Sequence, residues 1–262
     1  MRIACWQATC APGGVPAFLE ALESVARRAA DGGAALLVTP EMSVGGYPLS
    51  AAALAEAREP ATGRHSAAVA RIARESGVAI VHGWPEAAGP VVHNTAAVTS
   101  PTGRLLAYRK GHLYGPQERA LFAPGSDGVV QARFGGFTVG LLICYDVEFP
   151  EAVRAHALAG TDLLVVPTAL MRPWDFVARV VVPARAFENG LFLVYTNWSG
   201  DRGGLGFCGL TRVVGPDGAV LAAAGDGEEL LFADIDPARV LAARSRTTYL
   251  QDRRPELYEP AP

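Results

Sequence analysis

The chain has 262 residues, half of them hydrophobic, and a formal net charge of −3 at pH 7. This length can bury one large core, and no linker-like stretch divides the chain, so we expect a single domain over residues 1–262. The small net charge and the high apolar content argue against a disordered chain and a broad nucleic-acid-binding surface, which leaves a small molecule as the expected partner.

The N-terminal stretch and the cysteines bear on location and on metal binding. The opening residues MRIACWQATC lack the basic flank and long apolar core of a signal peptide, and no run is long enough to span a membrane, so we expect a cytoplasmic protein. The histidines show no metal-ligand spacing. A disulfide framework and a zinc site are not expected either, because no CxxC pair occurs among the four cysteines, Cys5, Cys10, Cys144 and Cys208.

The first half of the chain alternates between strand and helix patterns. Apolar or alternating runs predict strands at residues 2–7, 34–39, 78–81, 95–98 and 105–110. Helical spacing predicts helices at residues 15–30 and 64–76. Gly and Pro are frequent in two further segments, where we expect a turn at 83–90 and an irregular loop at 111–125 that carries Glu118.

The second half begins with a strand predicted at residues 137–144, which places Cys144 at its end. Helices are predicted at residues 151–158 and 173–189. Strands are predicted at residues 163–166, 191–197, 207–214, 219–223 and 230–235, of which the last three are expected to be antiparallel. The tail, from about residue 244 to residue 262, is charged and aromatic, and we expect it on the surface or at a subunit interface.

Three chemically capable side chains each follow a predicted strand: Glu41, Lys110 and Cys144. If those strands are neighbours and point the same way, their ends bring the three side chains to one edge of a sheet, where ligands gather in open α/β folds. Taken singly, each has an ordinary alternative: a solvated loop acid, a surface charge and a buried small hydrophobe. The prediction of a site therefore depends on the three residues occurring together.

The segments PEMSVGGYP, YRKGHLYGPQE and ICYDVEFPE resemble the three signature segments of the carbon–nitrogen hydrolases, the nitrilase superfamily. Similar stretches, from IACWQ to LLFADID, extend the resemblance over nearly the whole chain. The resemblance implies an α/β fold, a four-layer α-β-β-α sandwich, and a catalytic triad of Glu41, Lys110 and Cys144. It also matches Glu118 to an additional glutamate near the active site, and it implies a homodimer or a larger homo-oligomer.

Amide hydrolysis needs a nucleophile, proton transfer and stabilisation of an oxyanion, and the residues named above can supply all three. Cys144 would attack the substrate carbonyl, and Glu41 would take the thiol proton and later activate water. Lys110 and the backbone N–H of Tyr145 would stabilise the negative oxygen. Because these groups share protons, the trio is best treated as one coupled unit.

His112 is a competing candidate for the base, since many cysteine hydrolases use histidine. It lies two residues beyond Lys110, and the resemblance gives it a structural role. Leu142 and Asp146 occupy the positions at which a G-x-nucleophile-x-G elbow has glycine, so an elbow of the α/β-hydrolase type is not expected.

Aromatic and apolar residues near the predicted strand ends are candidates for the substrate pocket, with ordinary core packing as the alternative: Tyr47, Tyr114, Phe149, Met171 and Trp174. The favoured function is an amidase that converts a carboxamide to a carboxylic acid and ammonia, with neither a metal nor an organic cofactor. A nitrilase and an N-carbamoyl amide hydrolase of the same superfamily stay open as alternatives. A non-catalytic binding protein on the same fold ranks below them.

Overall fold

The computed structural model describes residues 1–9, 14–47, 50–202 and 204–258, so Cys10 and residues 259–262 of the tail lie outside the described residues. The strands are β1 (Arg2–Gln7), β2 (Leu36–Val38), β3 (Ala79–Ala88), β4 (Val91–Ser100), β5 (Gly103–Arg109), β6 (Gln131–Phe134), β7 (Phe137–Leu141), β8 (Leu163–Pro167), β9 (Phe192–Thr196), β10 (Ser199–Arg202), β11 (Leu205–Cys208), β12 (Arg212–Val214), β13 (Val220–Ala223) and β14 (Glu229–Asp234). The helices are α1 (Gly14–Asp31), α2 (Ala51–Ala57), α3 (Arg64–Ser76), α4 (Gly115–Leu121), α5 (Pro150–Leu158), α6 (Val182–Asn189), α7 (Pro237–Arg246) and α8 (Tyr249–Asp252).

The fold contains two mixed sheets of six strands, which have the same arrangement of parallel and antiparallel neighbours. The first has the order β14-β1-β2-β3-β4-β5, with β1, β2 and β3 parallel and the other strands antiparallel to their neighbours. The second has the order β13-β12-β9-β8-β7-β6, with β7, β8 and β9 parallel in the same way. Because parallel strands end at one edge of a sheet, the loops after these strands collect along that edge.

The two faces of β1 show how the layers are built, because successive side chains of a strand point to opposite faces. Ile3 and Cys5 are fully buried in a cluster that also contains residues of the second sheet, so this face lies between the two sheets. Ala4 and Trp6 belong to a separate cluster with Leu22 of α1 and with residues of α3. Helices α1 and α3 therefore cover the outer face of the first sheet.

Helices α5 and α6 cover the outer face of the second sheet. Val153 of α5 and Ala186 of α6 are fully buried in the same cluster as the second sheet, and α6 contacts both β9 and β12. Burying a valine side chain in this way contributes about 1.5 to 3 kcal/mol. The four layers, helix, sheet, sheet and helix, confirm the α-β-β-α sandwich that the sequence implied.

The prediction of a turn at residues 83–90 is wrong for residues 83–88, which belong to β3, and only Gly89 and Pro90 form a turn. Gly83 allows the backbone at Met42 to pack closely against β3, since a Cβ atom at position 83 would lie 2.7 Å from the Met42 nitrogen. The expectation of an irregular loop at 111–125 is also wrong in part, because α4 occupies Gly115–Leu121. Pro116 fits the first turn of this helix, where its missing N–H leaves no hydrogen bond unmade.

Other boundaries differ from the predictions for local reasons. The run 207–214 is two strands rather than one, because Gly209 and Leu210 have φ values of 63° and 60° and interrupt the extended chain between β11 and β12. The helix predicted at 173–189 contains a π turn at Val177–Val181 before α6. Strands β6 and β10 and helices α2, α7 and α8 were not predicted. Ser50 caps α2 by accepting the Ala53 N–H at 3.2 Å.

The start of the tail packs on the body of the protein. Arg244 in α7 donates to the carbonyl oxygens of Gly190 at 3.1 Å and Thr161 at 2.7 Å, whereas Leu257 and Tyr258 are exposed. Within the described ranges, none of the helices has both the length and the apolar character needed to cross a lipid bilayer.

Candidate active site

The ammonium of Lys110 lies between two carboxylates at the edge of the first sheet. Lys110 directly follows β5, and its Nζ is 2.8 Å from Oε1 of Glu41, which follows β2. The same nitrogen is 2.8 and 2.9 Å from the two carboxylate oxygens of Glu118 in α4. All three residues are buried. A buried ammonium with two hydrogen-bonded carboxylates is well compensated, whereas removal of Lys110 would leave two buried carboxylates without a cation, which is costly.

Glu41 is held in place by groups from both sheets. The Asn94 amide of β4 donates to Glu41 Oε1 at 2.6 Å, and the Glu41 backbone N–H donates to Thr168 O at 3.3 Å. Trp198 Nε1 donates to the Glu41 carbonyl oxygen at 2.8 Å. The second carboxylate oxygen, Oε2, is buried and has no hydrogen-bond partner among the described residues. Glu41 thus has one oxygen fixed by donors and one free to accept a proton.

Glu118 is fixed just as firmly. Its Oε1 accepts the Tyr47 hydroxyl at 2.5 Å, and its Oε2 accepts the Tyr114 backbone N–H at 2.7 Å. Glu118 lies in the first turn of α4, where the orphan N–H groups and the positive end of the helix favour a carboxylate. The Glu118 carboxylate therefore holds Lys110 together with Glu41.

Cys144 lies three residues beyond the end of β7, at the head of a 3-10 turn, Cys144–Glu148. Its φ of 47° is in the left-handed region, which costs a residue other than glycine about 1 to 3 kcal/mol and must be stabilised by its surroundings. Asp146 does this: its carboxylate accepts the Ile143 N–H at 3.1 Å, the Tyr108 hydroxyl at 3.1 Å and the His112 N–H at 2.8 Å. A cysteine whose strained backbone is held by neighbouring hydrogen bonds is typical of a functional position.

The electrostatics of the site keep the thiol protonated at rest. Burial, and then the nearby Glu41 carboxylate, raise the pKa of Cys144, although the Lys110 ammonium and hydrogen bonds from Thr168 and the Ala169 N–H work in the opposite direction. Burial also raises the pKa of Glu41, against the lowering influence of Lys110. For Lys110, burial disfavours the ammonium, but the two carboxylates outweigh it and raise the pKa. A nucleophilic role for Cys144 would therefore require a base that takes the thiol proton.

Cys144 opens into a pocket of about 200 Å³ between the two sheets' loop edges. Its lining residues are Tyr114, Cys144, Tyr145, Glu148, Ala169, Leu170, Met171 and Trp174. Tyr114, Met171 and Trp174 were named as pocket candidates from the sequence, and Tyr145 was named there as a backbone oxyanion donor. Tyr47 lines an adjoining cavity of about 260 Å³, which shares Tyr114 and Met171 with the first and contains Glu118.

Phe149 and His112 lie elsewhere. Their rings stack with centroids 3.9 Å apart, and both line a different cavity of about 660 Å³. His112 Nδ1 is 2.7 Å from the Asp146 carboxylate. Neither residue lines the pocket at Cys144. In this arrangement Phe149 contacts the site through Tyr145, whose ring it meets edge-on at 5.0 Å.

Several residues of the site were not singled out from the sequence. Thr168 and Asn197 directly follow β8 and β9, so the strand-end rule that found Cys144 could also have found them. The Asn197 side chain holds the pocket wall by accepting the Leu170 N–H at 2.8 Å and donating to the carbonyl oxygens of Leu170 and Gly209. In the part of the chain that the structure describes, no cluster of three or more His, Cys, Asp or Glu side chains could hold a metal ion.

Comparisons with known proteins identify the family of the chain. Residues 2–245 match the carbon–nitrogen hydrolase family. The chain is 40% identical to a hydrolase of Pseudomonas protegens over 99% of this chain and 91% of that protein. It is 39% identical to an (R)-stereoselective amidase of a Pseudomonas species over 84% of this chain and 79% of the relative.

A solved structure of an amidase from Nesterenkonia sp. AN1, in which the cysteine is replaced by alanine and butyramide is bound, superposes with a TM-score of 0.85 at 39% identity, covering 98% of this chain and 95% of that one. Another variant of that amidase shows acrylamide added at the active-site cysteine. The family match and these similarities extend over nearly the whole chain. The protein is therefore a member of the carbon–nitrogen hydrolase family, the nitrilase superfamily.

Proposed function

We propose that the protein is an amidase that hydrolyses a small carboxamide to a carboxylic acid and ammonia through a thioester on Cys144. The observation that carries this proposal is the position of Cys144, which lies in the left-handed region on the wall of a pocket, with the buried Glu41–Lys110–Glu118 cluster beside it. Small amides are the expected substrates, because the pocket of about 200 Å³ is small. The related Nesterenkonia amidase, which binds butyramide, supports the same substrate class.

In the first half-reaction, Glu41 takes the thiol proton while the Cys144 sulfur attacks the amide carbon. The carbonyl oxygen becomes negative, and the Tyr145 N–H and the Lys110 ammonium lower the energy of that charge. The C–N bond then breaks as Glu41 returns the proton to the leaving nitrogen. Ammonia departs, and the acyl group stays on the sulfur as a thioester.

In the second half-reaction, Glu41 is again the base. It takes a proton from water, and the resulting hydroxide attacks the thioester carbon at the same oxyanion position. The C–S bond breaks, the thiolate recovers the proton from Glu41, and the acid leaves. Glu118 never needs to exchange a proton in this scheme, because its role is to hold Lys110 in position.

The test compares butyramide with butyronitrile, which have the same carbon chain but different carbon–nitrogen groups. We expect ammonia and butyrate from butyramide, a loss of roughly a thousandfold or more in Cys144→Ala, and a butyryl adduct on Cys144 in intact-protein mass spectra after rapid quenching. Cys5→Ala is the matched control, because Cys5 is also buried but lies in β1 and does not line the pocket.

Three outcomes would contradict the proposal. Consumption of the nitrile alone would indicate a nitrilase. Activity confined to an N-carbamoyl amine, which releases carbon dioxide together with ammonia, would indicate a carbamoyl amide hydrolase. Undiminished ammonia release by Cys144→Ala would show that another group is the nucleophile.

A further inference from the structure

Glu148 lies in the pocket of the nucleophile but has no part in the steps above. It is the last residue of the 3-10 turn that begins at Cys144, and its half-buried side chain lines the same pocket. Arg185 of α6 fixes this end of the turn by donating to the carbonyl oxygens of Val147 at 3.1 Å and Glu148 at 2.8 Å. Asp146 fixes the other end. The backbone of the turn between Cys144 and Glu148 is therefore fixed at both ends.

The Glu148 carboxylate has no donor of its own. Arg185 uses its third donor group on Glu188, at 3.1 Å, so the guanidinium that holds the Glu148 backbone does not pair with the Glu148 side chain. Among the residues that the structure describes, none donates a hydrogen bond to this carboxylate or forms an ion pair with it. Burial raises the pKa of Glu148, although the charges of Lys110 and Arg185 partly oppose this. The oxygens of this half-buried carboxylate are therefore left to hydrogen-bond with water or with a ligand in the pocket.

The rest of the pocket also favours a positive ligand. Lys110 is already paired with Glu41 and Glu118, and Arg185 with Glu188, so Glu148 adds an acidic group that is not paired with either cation. The remaining lining is aromatic or apolar, and Trp174 at the edge of the pocket is about half exposed. Aromatic faces attract ammonium groups, which adds to the pull of the carboxylate.

We propose that Glu148 is a specificity-determining residue that selects amides whose acyl part carries a protonated amine, such as amino-acid amides. The Glu148 carboxylate accepts a hydrogen bond from the substrate ammonium and holds the amide carbon against Cys144. The same charge disfavours amides that carry a second carboxylate. This inference rests on the proposed amidase function, and it concerns the choice of substrate rather than the chemical steps.

The experiment uses pairs of amides that differ only in an ammonium or a methyl group at one position. Alaninamide and isobutyramide place this group next to the amide carbon, and 4-aminobutanamide and pentanamide place it at the end of the chain. We expect the intact enzyme to prefer the ammonium member of at least one pair in kcat/KM. In Glu148→Gln, which keeps the shape of the side chain, that preference should fall at least tenfold, with most of the change in KM.

Glu151→Gln is the matched control. It removes one acidic group three residues away, but Glu151 is exposed on α5 and does not line the Cys144 pocket, so the preference should survive. Binding of the same pairs to Cys144→Ala, with and without Glu148→Gln, measures selectivity without turnover. A failure of the proposed reaction would therefore not hide the result.

Two results would overturn the inference. If the intact enzyme has no preference for the ammonium member of either pair, Glu148 does not recognise a cation. If Glu148→Gln lowers kcat/KM equally for both members of the preferred pair, the side chain supports the turn or the cluster around Lys110 instead. Absence of ammonia release from every amide, combined with selective binding to Cys144→Ala, would contradict the amidase proposal and leave the selectivity of the pocket standing.

Discussion

At the scale of single residues, the basicity of Glu41 depends on Asn94. The Asn94 amide is 2.6 Å from Glu41 Oε1, and a donor at this distance favours the ionised carboxylate. Replacing Asn94 with leucine, which has nearly the same size, removes the donor and should raise the pKa of Glu41. We expect the acidic limb of the kcat–pH profile to move to higher pH by about one unit or more, since a hydrogen bond to a charged group contributes about 1.5 to 3 kcal/mol.

Asn189→Leu is the control for this prediction. Asn189 is also buried and also loses a hydrogen bond, to the Arg185 carbonyl oxygen at 2.9 Å, but it lies at the end of α6 and away from Glu41. It should lower the free energy of unfolding without moving the pH profile. A profile that stays in place in Asn94→Leu would show that Asn94 does not set the protonation of Glu41.

The residues of the site differ in how far the sequence could indicate them. Glu41, Lys110 and Cys144 follow strands, and that position is visible in the pattern of apolar residues. Asn94 lies inside β4, and its side chain reaches Glu41 only because of how β4 and the loop after β2 pack in three dimensions. The spacing of apolar residues along the sequence does not predict that contact. Glu148 follows Cys144 by four residues, but only the 3-10 turn places both in one pocket.

At the scale of elements, the loop that carries Glu41 is positioned by its contact with β3. The Val44 N–H donates to the Gly83 carbonyl oxygen at 2.9 Å, and a Cβ atom on Gly83 would lie 2.7 Å from the Met42 nitrogen. Gly83→Ala must therefore displace the backbone beside Glu41. We expect a loss of about 1 to 3 kcal/mol in the free energy of unfolding, measured in urea, and at least a tenfold loss in kcat.

Gly227→Ala is the matched control, because a methyl group there meets no atom within 4 Å and the backbone is not left-handed. It should leave both measurements close to those of the unchanged enzyme. If Gly83→Ala behaved in the same way, the loop after β2 would have room to adjust, and its close contact with β3 would not set the position of Glu41.

The same contact explains why the sequence was misread at this element. A glycine and a proline close together usually indicate a turn, and the prediction at 83–90 followed that rule. In the structure, Gly83 gives space to the neighbouring loop, and Pro85 remains within β3, where its carbonyl oxygen accepts the Glu59 N–H at 3.1 Å. The sequence shows that a side chain is missing, but it does not show whether a turn or a neighbouring backbone needs the space. Long periodic elements such as α3 were predicted with their full range because amphipathic spacing does not depend on distant contacts.

At the scale of the whole molecule, the candidate site belongs to neither sheet alone. Glu41 and Lys110 follow strands of the first sheet, Cys144 follows a strand of the second, and Trp198 binds the Glu41 backbone from the end of β9. The geometry of the site therefore depends on the packing between the sheets. A condition that weakens the sandwich as a whole should reduce activity before the protein unfolds completely.

Mild acid is such a condition, because two buried histidines are kept neutral in the folded protein. Burial lowers the pKa of His82 in β3 to about 3 and that of His156 in α5 to about 4, compared with about 6.5 in an unfolded chain. Below about pH 6.5 the unfolded chain takes up protons that the folded protein does not. The free energy of unfolding should therefore fall as the pH drops from about 6.5 towards 4.

His156→Gln isolates one of these contributions, since every carboxylate, including Glu41 and Glu148 with their raised pKa values, titrates in both proteins. Between pH 7 and pH 5, His156 should account for a loss of about 2 kcal/mol in the free energy of unfolding. Urea unfolding at a series of pH values should thus show that the free energy of unfolding changes less with pH in His156→Gln than in the unchanged protein. This comparison holds whatever the difference in stability between the two proteins at pH 7. If the free energy of unfolding changed equally with pH in both proteins, His156 would accept a proton in the folded protein. Its burial between α5 and the second sheet would then not make the sandwich sensitive to acid.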